Sequence, residues 1–313
     1  MRNRAKTVNL GDFSLWLAPM EAVTDAPFRS LCKRFGADVT VSEFISSDAL
    51  VRQAAKSLCK MSFLPEERPI GIQIFGSDEE SLRGAAEIAA SRKPDFIDIN
   101  WGCPVKKIVS RGAGSGILQD IPKMVRLTGA VVRAMEAFGL PVTVKTRLGW
   151  DESNKPIVEV AEKLQDAGIA GISIHGRTRS QLYAGKADWT LIGKVKANPR
   201  IKIPVFGNGD IDSVQKALQA QNDYGGDGVL IGRAAIGNPW IFSQTSPSLE
   251  ERKSVCLELF RKEIELKGER VAAQEMKIHY PGFFRGVANF KPTKIKLMTS
   301  KDYDSVCKIL ADL

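Results

Sequence analysis

The sequence predicts an α/β fold, a (β/α)8 TIM barrel followed by a small C-terminal helical domain, and three observations lead there. Short β-branched runs alternate with amphipathic stretches of helical length from Leu15 onward, the pattern of repeated βα units around a parallel sheet. Eight such units can be placed, the number a closed barrel requires and more than an open doubly wound sheet usually has. After about Gly237 the alternation stops, and Ser246-Pro247-Ser248 introduces a segment rich in helix formers. The chain of 313 residues is therefore expected to divide into a barrel at 1–240 and a helical part at 241–313.

The strand candidates, in order, are Leu15–Met20, Val39–Phe44, Ile70–Phe75, Phe96–Asn100, Val142–Arg147, Gly171–His175, Val205–Asn208 and Gly228–Ile231. The helices between them carry their own punctuation. Ser77-Asp78-Glu79-Glu80 precedes Leu82, Ala85, Ala86 and Ala89, which reads as an N-cap with acidic residues in the first turn. A second helix follows Gln119-Asp120, with Pro122 in its first turn and Gly139 beyond its end. The last segment, Leu249 to Lys267, is expected to be helical throughout.

Composition narrows the functional classes. Hydrophobic residues at 43% and charged residues at 26% describe an ordinary globular protein with a large core. Lys plus Arg exceed Asp plus Glu by 45 − 36 = 9, which favours phosphate-bearing partners. Six Lys or Arg and no Asp or Glu lie between Lys277 and Lys301, and Arg2, Arg4 and Lys6 also lack acidic neighbours. Such a segment is either a solvated basic face or a nucleic-acid surface. The five cysteines are scattered and odd in number, without a C-x-x-C pair, so neither a disulfide framework nor a structural zinc site is indicated. No apolar run approaches bilayer length and no signal-peptide h-region is visible, so a reducing cytoplasm and no membrane contact are expected.

Polar or glycine-rich residues stand wherever a strand candidate finishes, and in a barrel all those ends converge on one face. The run Ile97-Asp98-Ile99-Asn100-Trp101-Gly102-Cys103-Pro104 delivers a thiol to such an end, followed by Lys106, Lys107 and Arg111. Cys103 is thus a candidate working residue, its alternative being a small buried strand cysteine. Asn208-Gly209-Asp210 and Gly232-Arg233 close the last two strands, where barrels commonly hold phosphate, although glycines also make tight turns. Lys145 can place a cation at the mouth against negative charge on a reduced flavin, and Gln73 can hydrogen-bond the edge of a planar heterocycle. His175 can donate to phosphate or ring, or make a structural hydrogen bond. His pairs at ligand spacing and a G-x-S-x-G elbow are absent, so neither a metal centre nor a serine triad is expected.

Taken together, Ala18-Pro19-Met20-Glu21-Ala22-Val23-Thr24-Asp25, Gln73-Ile74-Phe75-Gly76, Asn100-Trp101-Gly102-Cys103-Pro104, Lys145-Thr146-Arg147-Leu148-Gly149-Trp150, His175-Gly176-Arg177-Thr178, Asn208-Gly209-Asp210 and Gly232-Arg233 resemble the motifs of the tRNA-dihydrouridine synthases, most of all the bacterial B-type branch. The resemblance implies an FMN-dependent barrel that reduces uridines of the tRNA D-loop with NADPH or NADH, through a C-terminal domain that binds tRNA at the D-loop and elbow. It also implies that Pro19, Met20, Gln73, Lys145, His175, Asn208, Gly209, Asp210, Gly232 and Arg233 surround FMN. Cys103 would then be the proton donor, with Asn100, Arg147 and Arg177 at the flavin ring and target uracil. Lys106, Lys107, Arg111, Arg177 and Arg179 would meet phosphates near the mouth, and a monomer is expected. Two rivals remain at this point: a flavin barrel acting on a free pyrimidine such as dihydroorotate, against which the acid-free Lys277–Lys301 segment argues, and a non-enzymatic RNA-binding barrel.

Overall fold

The computed structural model describes residues 13–313, so the basic residues Arg2, Arg4 and Lys6 lie outside the described residues. Its strands are β1 Ser14–Leu17, β2 Thr40–Val41, β3 Ile45–Ser46, β4 Ile70–Phe75, β5 Phe96–Trp101, β6 Val142–Arg147, β7 Gly171–His175, β8 Val205–Asn208 and β9 Gly228–Ile231. They form one parallel sheet in the order β1-β9-β8-β7-β6-β5-β4-β2, with β3 also on β4. A parallel bridge between Trp16 and Val39 brings the two ends of that path together and closes the barrel.

Two expected strands differ. The first stops at Leu17, because Pro19 has no N–H and the Met20 N–H is taken by the Thr24 hydroxyl at 2.9 Å. Within Val39–Phe44 only Thr40–Val41, β2, is strand, and the chain pairs again beyond it at β3, Ile45–Ser46. Thr40 and Val41 align with Ile70 and Gly71, whereas Ile45 and Ser46 align with Ile74 and Phe75, so one extra residue sits between the pairings. This is a bulge, and the Ser42 hydroxyl serves it by accepting the Gln73 N–H at 3.0 Å.

Successive side chains on a strand face opposite sides, so every second residue points into the barrel. Trp16, Phe96 and Phe206 fill the N-terminal end of the interior, the Trp16 ring lying 5.7 and 4.5 Å from the other two. Gly71 makes room for them, since a Cβ there would meet the Phe96 ring at 2.2 Å. Two and four residues further along the same inward faces the interior turns polar, with Gln73, Asp98 and Thr143 in one layer and Asn100, Lys145 and Asn208 above it. The outward residues Ile97, Ile99, Val142, Val144, Ile172 and Ile174 pack instead on Leu82, Ala86, Leu127, Val131 and Leu164 of the surrounding helices. Asp78 and Asp120 cap two of those helices as expected, accepting the N–H groups of Ser81 and Lys123 at 2.9 and 3.0 Å; such a cap is worth about 1 kcal/mol.

Beyond the barrel the helix Leu249–Lys267 is capped by Ser248 and followed by the helices Glu269–Glu275, Tyr280–Phe283, Phe290–Thr299 and Tyr303–Ala311. They share one apolar cluster with the barrel: Phe28, Leu31 and Cys32 of the helix Ala26–Arg34 pack among Val255, Leu259, Phe260, Tyr280 and Phe283. At the rim of this cluster Lys267 sits among Asp25, Glu263 and Glu275. Asp25 is also the cap of Ala26–Arg34. Among the described residues no helix is long and apolar enough to cross a membrane.

Candidate active site

A cavity of about 1300 Å³ opens at the C-terminal ends of the strands. Its wall includes Pro19, Met20, Asn100, Cys103, Lys145, Arg147, His175, Asn208, Gly209, Asp210, Gly232 and Arg233, so the structure gathers most of the residues expected from the strand ends. It is also lined by Ile278 and Arg285, which come from the C-terminal helical part.

The thiol is held by its backbone. Asn100 Oδ1 accepts the N–H groups of Gly102 and Cys103 at 3.0 and 2.8 Å, and the Cys103 carbonyl accepts from Ser115 N–H and Oγ at 3.0 and 2.8 Å. Gly114 passes so close, at φ +54°, that a Cβ would lie 2.8 Å from the Cys103 carbonyl oxygen. Cys103 is 8% exposed. Burial pushes its pKa up, Glu21 adds to this, and Arg147 and Lys145 act the other way. A cysteine kept protonated at neutral pH is suited to give a proton rather than to attack as a thiolate.

Around it the cations are crowded into the barrel. Burial above all, with help from Arg147, lowers the pKa of Lys145 to about 8, although Asp98 and Cys103 oppose this, and its Nζ donates to Asn208 Oδ1 at 3.1 Å. His175 is held neutral by burial and then by the charges of Lys145, Arg147, Arg177 and Arg233. Arg147 is buried, its Nε donating to the Gly102 carbonyl at 2.7 Å and its Nη1 to the Thr178 and Leu182 carbonyls at 2.9 and 2.8 Å.

The last two strands end in a cradle. The backbone N–H groups of Asp210, Gly232 and Arg233 have no hydrogen-bond partner among the described residues. Gly209 has φ +126°, and a Cβ there would meet that of Ala187 at 2.7 Å, so only glycine keeps this corner open. Free N–H donors beside an arginine fit a phosphate, and with it a phosphorylated planar group such as FMN. Asp210 lines the cavity, and its carboxylate holds the arginines beside the cradle. It accepts from Arg177 at 2.7 and 2.8 Å, from Ala187 N–H at 2.8 Å and from Arg233 at 3.2 Å. Burial raises its pKa, but these hydrogen bonds and charges outweigh that and hold it below its usual range.

Two expected site residues are not on the cavity wall. Gln73 is fully buried and spans Asp98 and Asn100, which occupy the two ends of its amide at 2.6 and 2.8 Å. Arg177 is also buried, and its guanidinium is taken up by Asp210 and by the carbonyls of Ala184 and Gly185 at 3.1 and 2.6 Å. Both differences have one cause: a residue at a strand end can be consumed by neighbours that sequence spacing does not show. Of the basic residues expected near the mouth, Lys107 lines the cavity, whereas Arg179 lies over the Trp150 ring at 4.7 Å. The site also holds residues the sequence did not single out. Tyr183, 55% exposed, faces Arg147 and Arg233 at 5.7 and 5.2 Å from its ring, and Lys186 lies on the same loop. Tyr183 belongs to none of the strand-end motifs, so the sequence carried no signal for it.

A closed parallel barrel whose strand ends bring a protonated thiol, buried cations and a phosphate-type cradle to one cavity defines a (β/α)8-barrel enzyme. A family model described as "Dihydrouridine synthase (Dus)" matches residues 16–303. The tRNA-dihydrouridine synthase B of Pseudomonas aeruginosa is 36% identical over 96% of this chain and 93% of its own length. That of Xanthomonas campestris is 46% identical over 74% of this chain and 68% of its own. Among solved structures, a 2-naphthoyl-CoA reductase complex is similar with a TM-score of 0.58 at 11% identity, over 90% of this chain and 55% of that one. A morphinone reductase variant has a TM-score of 0.50 at 14% identity, over 75% of this chain and 87% of that one. At such identities these two likenesses speak for the fold alone. The chain belongs to the dihydrouridine synthase family, whose members are flavin-dependent oxidoreductases.

Proposed function

We propose that this enzyme is a tRNA-dihydrouridine synthase that reduces the C5–C6 bond of D-loop uridines, with FMN as cofactor and NADPH or NADH as reductant. The observation that carries the reading is the buried, protonated Cys103 thiol on the wall of the same cavity as the cradle at Gly209, Gly232 and Arg233. Those groups would hold the FMN phosphate, with Lys145 and Asn208 beside its ring and Pro19 and Met20 along one side. Bound there, FMN supplies the hydride that reaches uracil C6.

The remaining work belongs to the protein's own side chains. Hydride at C6 leaves charge spread over C5 and the C4 carbonyl, and Cys103 gives its proton to C5. Burial keeps that proton on sulfur until a carbanion-like acceptor arrives. Arg147, held against the Gly102 carbonyl, keeps a positive charge beside the thiol and eases formation of the thiolate left behind. The target uridine must leave its stack to enter the cavity. Arg285 and Ile278 at the mouth, with the exposed lysines of Phe290–Thr299, favour a macromolecular substrate over a free pyrimidine, which needs no such surface.

The test is Cys103→Ala in two half-reactions. The variant is expected to bind flavin and to be reduced by NADPH at the parent's rate, while reoxidation by tRNA slows by on the order of 100-fold, the usual worth of a positioned general acid. Reoxidation at the parent's rate would make Cys103 a structural strand cysteine.

A further inference from the structure

Asp98 is a buried carboxylate inside the barrel that the proposed reaction leaves unused. It is 3% exposed, on β5, two residues below Asn100 on the same inward face. The sheet register sets it between Gln73 on β4 and Thr143 on β6. Gln73 Nε2 donates to Asp98 Oδ2 at 2.6 Å, and the Thr143 hydroxyl donates to Asp98 Oδ1. The chain of hydrogen bonds continues toward the mouth: Asn100 Nδ2 donates to Gln73 Oε1 at 2.8 Å, and Asn100 Oδ1 accepts the N–H groups of Gly102 and Cys103.

The two ends of an amide have the same shape but opposite hydrogen bonding, one donating and one accepting. Two amides in series therefore have two possible polarities. Burial raises the Asp98 pKa, while the hydrogen bonds from Gln73 and Thr143 and the charge of Lys145 oppose it; as a carboxylate it accepts at both oxygens and admits only the polarity in which Gln73 turns its NH2 downward. Asn100 must then turn its NH2 toward Gln73 and its oxygen toward Cys103. In the opposite polarity the Asn100 NH2 would face two backbone N–H groups, donor against donor, at the residue that carries the thiol. We propose that Asp98 is a positioning residue for Cys103, setting the orientation of Gln73 and Asn100 and so holding the corner that presents the thiol. The inference rests on the reading of Cys103 as the working thiol. No proton moves along the chain of amides; its contribution is orientation.

The polarity supplies the test. Asp98→Asn removes the acceptor-only end and admits both polarities. Asn100→Asp puts a carboxylate at each end of Gln73, and one end must then face acceptor to acceptor. The double variant restores a fully paired chain in the reversed sense: the new amide at position 98 donates to Gln73, Gln73 donates to the new carboxylate at position 100, and that carboxylate still accepts the Cys103 N–H.

The readout is alkylation of Cys103 by iodoacetamide in the full-length, flavin-free protein from about pH 7 to pH 10, followed at the Cys103 peptide by mass spectrometry, with exposed Cys59 as internal control. The charges facing the thiol are Arg147, Lys145 and Glu21, and altering a nearby carboxylate moves the profile along the pH axis. Loosening the corner instead raises its height. Each single variant is expected to raise the height by on the order of threefold, and the double variant to return to within about twofold of the parent, as coupled neighbours do. Profiles that only shift along the pH axis, or a double variant no nearer the parent than the singles, would overturn the assignment. If a single variant fails to fold, a folded double variant supports the same coupling, and a double variant that also fails overturns it. Neither tRNA nor flavin enters this assay, so its outcome stands apart from that of the Cys103→Ala half-reactions.

Discussion

At the scale of single residues, the cavity works by keeping ordinary groups in unusual protonation states. Burial retains the proton on Cys103, keeps His175 neutral and brings the loss of charge on Lys145 down to about pH 8. For Lys145 the direction fixes a pH effect. Its pKa is lowered to about 8, so the ammonium is present below that pH and lost as pH rises through it. FMN affinity of the flavin-free protein is therefore expected to be level up to about pH 8 and to weaken beyond it, with no such fall in Lys145→Met. Titrations by flavin fluorescence would show this, and parallel pH profiles for parent and variant would remove Lys145 from the cofactor site. Arg233 stands at the free N–H groups of the cradle but is tied to Asp210 and stacked on Tyr183. Arg233→Ala should release FMN on dilution about tenfold or more readily, as removal of a charge-assisted hydrogen bond to phosphate, worth roughly 1.5–3 kcal/mol, implies. Full occupancy after dilution would place the phosphate elsewhere.

At the scale of elements, each strand brings its final inward residue to the mouth, and each following loop decides what that residue can touch. Asn100, Lys145 and Asn208 reach the cavity this way, while Gln73, one layer lower, does not. The bulge between β2 and β3 was invisible in the sequence, because Val39–Phe44 satisfies a strand pattern with or without one extra residue. The basic segment of Lys277–Lys301 gathers three exposed lysines, Lys291, Lys294 and Lys296, on the helix Phe290–Thr299. Replacing these three by Gln is expected to weaken tRNA binding and to flatten its salt dependence by roughly 0.7 to 0.9 in slope for each phosphate that is no longer neutralised. An unchanged slope in filter-binding measurements at several salt concentrations would take this helix out of the RNA interface.

At the scale of the whole molecule, barrel and helical part are joined by one apolar cluster and by the ionic group around Lys267. Burial and the charge of Asp25 raise the Glu263 pKa from 4.5 to about 9, with Lys267 opposing. Between those values the folded protein keeps a proton that the unfolded chain releases. The stability this group contributes is thus fully present below about pH 4.5 and is lost as pH rises toward 9. Thermal unfolding of the full-length protein should therefore show a steeper fall in Tm between pH 6 and pH 9 for the parent than for Glu263→Gln. Equal slopes would mean that Glu263 is already ionised at the junction.

What the sequence determined by itself was what local pattern can carry. The βα alternation, the caps at Asp78 and Asp120, the start of the last long helix at Ser248, and the thiol at a strand end all follow from neighbours close along the chain. The tertiary structure alone decided which polar groups were free to act. Gln73 and Arg177 were expected at the mouth as Lys145 was, yet partners 25 to 33 residues away in the chain, Asp98, Asn100 and Asp210, consume their hydrogen-bonding capacity. Tyr183 and Arg285 reach the mouth for the converse reason, because loop and helix packing carry them there from parts of the chain with no motif. A buried polar side chain must find a partner wherever folding brings one, and that pairing is a property of three-dimensional proximity rather than of sequence spacing.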